Sequence, residues 1–228
     1  MRRGYVIWIL LLPLLAAGCL GRATRHATAV TTVSTTTVAK QMHLTVFTMR
    51  NGSLVATDVS VPLTEATAAA SLKALGLTAG VTIANGTATV DLPDATADQV
   101  AEIVYTLTQY PSVQRVDVGG KTLTRADVDQ YVAPISVESP AAGATVQKTF
   151  HVTGTAMVFE ATFVVELKIS NQVAVKETVT ASEGAPNRGT FDVALTAPAS
   201  GPAEVVAYEA SAEDGRPLHT VHVPITVQ

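Results

Sequence analysis

The pattern of the sequence changes at Ile135, and this change limits the chain to two folded parts of different classes. After Ile135, about seven short runs of β-type residues alternate with turn residues, and no helical period appears. Strands of this number and spacing predict a β-sandwich over residues 135–228. The whole chain has 228 residues, which leaves room for one further small domain.

Residues 42–122 contain two hairpin signals. The pairs Asn51-Gly52 and Asn85-Gly86 each separate two β-type runs. Both central residues of a type I′ turn need a positive φ, and Asn-Gly meets this requirement best. The sequence therefore predicts a hairpin around each pair.

Two helices are predicted between and after these hairpins. Apolar residues at helical spacing predict one helix over 65–75, ended by Gly76. A second apolar stripe predicts a helix that Asp94 caps and Pro111 stops. A strand over 113–118 follows, and the order of elements predicts one small mixed sheet covered by the two helices.

The predicted fold class is α+β. A small mixed-sheet α/β domain at 42–122 precedes an immunoglobulin-like β-sandwich at 135–228. Residues 123–134 form a predicted connector, in which Thr124 and Asp127 have the spacing of capping residues for a short helix.

The N-terminus predicts a signal peptide over residues 1–18. Arg2 and Arg3 precede an apolar run over residues 5–15, and small residues then lead to Cys19. A bilayer-spanning helix needs roughly 20 apolar residues, so a permanent transmembrane helix has less support. The Thr-rich segment at 19–41 has no amphipathic period and is predicted to be an extended tether.

The segment LAAGC, which ends at Cys19, resembles the bacterial lipobox. The resemblance implies that diacylglycerol is attached to Cys19 and that the chain is cleaved before this residue and acylated at its new amino group. A lipid-anchored protein on the extracytoplasmic face of the cell membrane is therefore expected. An ordinary secreted protein is the alternative.

Composition excludes several kinds of site. A single cysteine permits neither an intrachain disulfide nor a multi-thiolate metal site. A net charge of −4 gives no electrostatic footprint for nucleic acid, so no nucleic-acid partner is expected. His219 and His222 are three apart in a predicted strand and should point to opposite faces. We therefore predict no metal, no cofactor and no catalytic residue.

Two residues are candidate binding residues. Glu160 lies in MVFEATF and is a candidate for a partly buried carboxylate that grips a ligand. The alternative is a structural carboxylate that fixes a bend at one end of the sandwich. Tyr208 is a candidate for ligand recognition or for a tyrosine corner, in which its hydroxyl bonds nearby backbone.

Two stretches resemble known bacterial families. Residues 135–227, through ISVESPAAGATV, FHVTGTAMVFEATF and YEASAEDG, resemble the immunoglobulin-like domain associated with spore germination. Residues 43–122, through NGTATVDLP and AEIVYTLTQYPSVQRVDVGGK, resemble the GerMN domain of sporulation and germination lipoproteins. Together they imply a surface lipoprotein that acts in envelope or spore-related assembly.

A non-catalytic, protein-binding or assembly function is expected from these features. The expected partner is another envelope protein or a second copy of the chain, bound through the 43–61 hairpin or the helix surface at 100–110. A module for peptidoglycan or another wall glycan is the alternative. Sugar sites usually stack rings on aromatic side chains, and no Trp remains once residues 1–18 are removed. An enzyme has the least support.

Overall fold

Strands form 51% and helices 15% of the part of the chain that the structure describes, so this part is mostly β, with mixed sheets and few helices. The structure is a computed structural model, and it describes residues 39–228. Its first half contains these elements: β1 (Gln41–Arg50), β2 (Ser53–Pro62), α1 (Thr67–Ala74), β3 (Val81–Ala84), β4 (Thr87–Val90), α2 (Ala97–Leu107), β5 (Arg115–Val118) and β6 (Lys121–Leu123).

Both predicted hairpins are confirmed. β1 pairs antiparallel with β2, and β3 pairs antiparallel with β4. At the first turn φ is +51° for Asn51 and +81° for Gly52, and at the second it is +51° for Asn85 and +75° for Gly86. Positive φ at both central residues is what a type I′ turn requires.

The strands of the first half form two sheets, so the prediction of a single sheet was wrong. β3, β4, β5 and β6 form a mixed four-stranded sheet, in which β4 and β5 are parallel. β1 and β2 form a separate ribbon, because α2 occupies the outer edge of β1. The Phe47 N–H donates to Thr106 Oγ1 (2.9 Å), and the Met49 N–H donates to Glu102 Oε1 (2.6 Å). Side chains of a helix thus satisfy the backbone groups that another strand would have used.

Thr96, not the predicted Asp94, caps α2. The Thr96 hydroxyl accepts the Gln99 N–H, and the Gln99 side chain accepts the Thr96 N–H in return. Threonine followed three residues later by glutamine forms this reciprocal capping box, which a lone aspartate two residues earlier cannot form. The predicted first helix is confirmed, with Gly76 at φ +78° after its end.

The predicted short helix after this half is a 3₁₀ helix, Arg125–Tyr131. The Asp127 carboxylate accepts the N–H and the hydroxyl of Thr124, both at 2.7 Å. These hydrogen bonds lower the pKa of Asp127. Val128 and Val132 are buried in the core of the first half, together with Leu72.

The second half is a sandwich of two sheets. Its strands are β7 (Ile135–Ser139), β8 (Thr145–Val146), β9 (Thr149–Ala156), β10 (Thr162–Ile169), β11 (Gln172–Thr180), β12 (Gly189–Thr196), β13 (Gly201–Ala210) and β14 (Pro217–Val227). One sheet has the order β12-β9-β7, and the other has the order β11-β10-β13-β14-β8. The seven predicted strands are all present, with the short β8 added. Phe163 and Phe191 meet edge to face in the core at 4.9 Å.

Arg188 connects the sandwich to the 3₁₀ helix. Its Nε lies 2.6 Å from Asp129 Oδ1, and its Nη1 and Nη2 donate to the carbonyl oxygens of Ala133 (3.0 Å) and Val132 (3.3 Å). Charge-assisted hydrogen bonds of this kind are stronger than neutral ones. The turn that carries Arg188 is therefore held against the segment that leads into β7.

Candidate functional site

A cleft of about 600 Å³ lies between the β1–β2 hairpin and the sandwich. Segments of β2, β7 and β14 line it, and these strands belong to three different sheets. The cleft includes part of the 43–61 hairpin, where we expected a partner to bind.

The β2 edge is only partly covered at this cleft. Near its middle, the Asp58 N–H donates to Ala142 O and the Ala142 N–H donates to Ala56 O, both at 2.9 Å. Backbone groups on one edge of a strand recur every second residue, so the N–H and C=O of Leu54 face the same side. Within residues 39–228, no hydrogen bond engages these two groups of Leu54.

The β14 edge faces the cleft from the sandwich. Pro224 O accepts the Gly143 N–H (2.8 Å), and this contact fixes the side to which Pro224 turns its carbonyl. By the same alternation, the N–H and C=O of His222 also point away from β13. Pro224 has no N–H, so pairing along this edge is interrupted there.

β7 forms the third edge. Pro134 O accepts the Met157 N–H (2.7 Å), and the alternation along the strand then turns the backbone groups of Ile135 and Val137 away from β9. β7 is the end strand of its sheet. The cleft thus brings together backbone groups from three strand edges.

The side chains at the cleft are mostly small or apolar. The lining includes Val55, which is partly exposed, and the buried core residues Leu54, Ile135 and Val223, each at most 3% exposed. Arg50 is the one Lys or Arg in the lining. Of the described residues, no Asp, Glu, Phe, Tyr or Trp lines the cleft. An extended apolar segment fits these walls better than a sugar ring does.

Tyr208 does not form the predicted tyrosine corner. Its hydroxyl donates to Glu166 Oε1 (2.9 Å) on the outward face of the larger sheet, instead of bonding nearby backbone. β10 and β13 are adjacent in this sheet, and the side chain of Tyr208 therefore reaches Glu166 across the pair. Lys176 Nζ completes the cluster, 3.0 Å from the Tyr208 hydroxyl and 3.2 Å from Glu166 Oε1.

Glu166 is a nearly buried carboxylate, with 7% of its side chain exposed. Burial alone would raise the pKa of Glu166, but hydrogen bonds from Tyr208 and Lys176 outweigh it, and the pKa lies below its ordinary value. The hydrogen bonds that Lys176 donates, first to the Tyr208 hydroxyl and then to Glu166, raise the pKa of Lys176. The cluster favours the charged form of both groups.

Glu160 lies on the surface, so the expectation of a partly buried carboxylate was wrong. It occupies a short 3₁₀ turn, Phe159–Ala161, where its φ is +52°. This turn directs the Glu160 side chain outward, to a notch near the end of β13. Glu160 and Tyr208 have different neighbours and do not form one site.

Each of the four described histidines lies beside a carboxylate of its own. The pairs are His43 with Asp58 (2.7 Å), His151 with Asp192 (2.6 Å), His219 with Glu209 (3.7 Å) and His222 with Glu204 (3.2 Å). His219 has φ +52° and lies where the pairing of β14 with β13 shifts register, so the predicted regular alternation fails at this residue. In residues 39–228, no three His, Cys, Asp or Glu side chains gather into a metal-binding group.

Cys19, the predicted lipid attachment residue, lies outside the described residues. So do the predicted signal peptide at 1–18 and most of the tether at 19–41. No helix within residues 39–228 has the length and apolar character needed to cross a bilayer.

Sequence reasoning missed Glu166 and the three strand edges. Glu166 had a local signal, because a carboxylate within the apolar run TFVVEL, two residues before Lys168, needs partners on a sheet face. The three strand edges had no such signal. β2, β7 and β14 belong to three different sheets, and only the tertiary structure brings their edges together.

The sandwich region matches a known family. Residues 134–216 match the family described as the immunoglobulin-like domain of bacterial spore germination. The resemblance predicted for the second half is confirmed over these residues. The description names a domain of spore germination and no catalytic activity. No curated protein matches the chain.

Solved structures that the chain is similar to include two with a TM-score of 0.32. One, from Bacillus subtilis, contains the tandem GerMN domains of the sporulation protein GerM, is 18% identical, and is matched over 68% of this chain and 61% of that one. The other is an engineered protein, Northeast Structural Genomics Consortium target OR128, at 15% identity over 50% of this chain and 21% of that one. The described part of the chain is mostly β, and residues 134–216 of it match the immunoglobulin-like domain of bacterial spore germination.

Proposed function

We propose that this chain is a lipoprotein, anchored through Cys19 to the extracytoplasmic face of a bacterial cell membrane, which binds an envelope protein without catalysing a reaction. Its first half is a GerMN-like domain, and its second half presents that domain to the partner. The germination context of the family that matches residues 134–216 supports a function in spore-related or envelope assembly.

The difference between the two edges of the β1–β2 ribbon supports this proposal most directly. On β1, the side chains of α2 satisfy Phe47 and Met49. On β2, the backbone groups of Leu54, a residue that is 3% exposed, face the cleft with no hydrogen-bond partner among the described residues. An exposed strand edge binds an extended segment through main-chain hydrogen bonds, and pockets for alternate side chains give specificity.

The walls of the cleft define the partner segment further. The backbone of the partner segment should contact β2 and β14, and every second residue of the segment should be apolar. An acidic residue of the partner can pair with Arg50 at the rim. The wall-glycan alternative has less support, because the described residues of the cleft include no aromatic side chain for a sugar ring to stack on.

Site-specific photocrosslinking in membrane-bound protein tests the binding proposal. A photoreactive residue in place of Thr220, which lines the cleft, should give one defined product with an envelope protein or a second copy of this chain. Val55→Arg fills the cleft and should abolish this product. Ser60→Arg, at an exposed position of the same strand, should leave it unchanged.

Two results would contradict cleft binding. One is the same product from a photoreactive residue in place of Thr89, which is exposed on β4 away from the cleft. The other is a product that Val55→Arg does not change. A product that contains only wall glycan would favour the alternative function.

The lipid anchor is tested separately. Cys19→Ala should release the protein from the membrane or leave it as an unprocessed precursor, because several acyl chains together give stable anchoring. Intact-mass spectrometry of the membrane-bound protein should show the added acyl groups. An unmodified mature N-terminus would contradict the proposed lipid anchor but not the proposed binding at the cleft.

A further inference from the structure

A second surface lies on the sandwich and shares no lining residue with the cleft. It is a notch of about 420 Å³ between the Phe159–Ala161 turn and the β13–β14 hairpin. Phe159 is 67% exposed and Leu218 is 44% exposed, and both line the notch. Large apolar side chains grouped on a surface mark contact sites more often than scattered ones do.

The backbone holds Phe159 outward. Its N–H donates to Glu209 Oε1 (3.1 Å), and the next two residues, Glu160 and Ala161, have φ of +52° and +57°. Non-glycine residues adopt this left-handed conformation at a cost, which the surrounding structure has to offset. The backbone that carries Phe159 is thus held at the mouth of the notch, and the side chain is exposed there.

Close packing behind the turn holds its backbone in place. Ala161 is buried, and its carbonyl accepts the Ala181 N–H (2.9 Å). Gly184 lies so close that a Cβ there would be 2.7 Å from Ala161 N. The backbone of the turn is therefore closely packed against the segment that carries Gly184.

The notch is acidic as well as apolar. Glu160 and Glu209 line it, and no Lys or Arg among the described residues does. Glu209 accepts the Phe159 N–H with one oxygen and lies 3.7 Å from His219 Nε2 with the other. A cation placed here gains from the two carboxylates and from the face of an aromatic ring.

We propose that this notch binds a basic segment of another protein, which inserts an apolar side chain between Phe159 and Leu218 and places an adjacent Lys or Arg against Glu160 and Glu209. The volume accommodates one large side chain and its neighbours. Charge complementarity selects the occupant, because an acidic segment would meet two carboxylates with no Lys or Arg among the described lining residues to oppose them.

Peptide binding to the full chain tests the proposal. The probe is a fluorescein-labelled, end-blocked peptide of sequence Gly-Lys-Phe-Lys-Gly, measured by anisotropy, with amide chemical shifts to locate the site. Phe159→Ala should weaken binding about tenfold or more, because it removes the main apolar contact. Glu160→Gln should weaken binding several-fold and reduce its salt dependence.

Matched controls distinguish binding at this site from non-specific binding of the peptide. Val173→Ala changes another exposed apolar side chain, 50% exposed on β11, and should leave the affinity unchanged. A peptide with Glu in place of both Lys residues should not bind. Phe159 is exposed, so Phe159→Ala should fold normally. Amide signals outside the notch that match those of the wild type will confirm this.

Three results of the peptide experiment would overturn the proposal. They are an affinity that Phe159→Ala does not change, equal binding of the acidic peptide, and amide shifts that cluster away from the notch. Self-association that Phe159→Ala abolishes would also overturn it, because the occupant would then be a second copy. None of these outcomes affects the crosslinking test of the cleft at Thr220.

Discussion

Arg125 Nη1 lies 2.9 Å from Glu138 Oε1 and 2.8 Å from Glu138 Oε2. Arg125 belongs to the 3₁₀ helix and Glu138 to β7, so this ion pair joins the two halves of the described structure. The guanidinium also lies 4.5 Å from the ring centre of Tyr105, whose pKa burial raises to about 12. The ring under the guanidinium therefore stays neutral at physiological pH.

Arg125→Ala should lower the free energy of unfolding by about 2–3 kcal/mol, because it leaves a half-buried carboxylate without its partner and removes the cation–π contact. Urea unfolding of the full chain measures this change. Arg216→Ala is the matched control, since Arg216 is 80% exposed and pairs only within its own hairpin, with Asp214. It should change stability by about 0.5 kcal/mol or less. If the two substitutions lowered the free energy of unfolding equally, Arg125 would not stabilise the contact between the two halves as proposed.

Glu166→Gln should destabilise the protein by about 1–2 kcal/mol at pH 7, because Tyr208 and Lys176 lose a charged acceptor. The pKa of Glu166 is lowered in the folded state, so the unfolded state binds more protons as the pH falls below about 5. The stability that the carboxylate adds is present at neutral pH and is lost as the pH falls through its folded pKa. The difference between wild type and Glu166→Gln should therefore shrink under acid conditions.

Thermal or urea unfolding between pH 7 and pH 3 measures this dependence. Glu177→Gln, at an exposed position of β11, is the control and should show no such convergence. A difference between Glu166→Gln and wild type that stays constant with pH would show that the lost stability does not come from the charge.

Gly154→Ala should prevent close pairing of β7 with β9. A Cβ at Gly154 would lie 2.0 Å from Ser136 O and 3.0 Å from Phe191 Cζ, so the two strands would have to separate. Overpacking of this kind costs about 1–3 kcal/mol or more. Gly80→Ala is the control, because a Cβ there meets no atom within 4 Å. If the urea midpoint fell equally for both variants, the close contact of β7 with β9 would not be the reason that Gly154 is required.

Local sequence signals predicted most of the strands. The features that these signals missed depend on contacts between residues that are far apart in the chain. The Asn51-Gly52 turn depends only on the φ preferences of two adjacent residues, so the sequence sufficed to place it. The edge of β1 depends on the hydrogen bond from Phe47 to Thr106, which are 59 residues apart. The Tyr208–Glu166 contact spans 42 residues. Neither separation has a periodic signature in the sequence.

The same reason explains why the candidate site was only partly predicted. The 43–61 hairpin was expected to bind a partner, and the cleft does include one of its edges. The edge of β14 at His222 enters the cleft through the order of strands in its sheet, which residue patterns do not encode. Glu160 was predicted to be partly buried but is exposed, and its left-handed backbone has no signal in the sequence.

Residues 134–228 should fold without the first half, because both sheets of the sandwich contribute to a hydrophobic core of their own. The isolated fragment should show dispersed amide signals and one cooperative thermal transition. Its midpoint should lie below that of the full chain, since Arg188 loses Asp129, Val132 and Ala133 as partners.

Arg188→Ala makes this last prediction quantitative. In the full chain it should cost about 1–3 kcal/mol, because it removes charge-assisted hydrogen bonds to Asp129 and to two carbonyl groups. In the fragment the same substitution should have almost no effect, because those partners are absent. A fragment without a cooperative transition, or one that Arg188→Ala destabilises as much as the full chain, would show that the sandwich depends on the first half in another way.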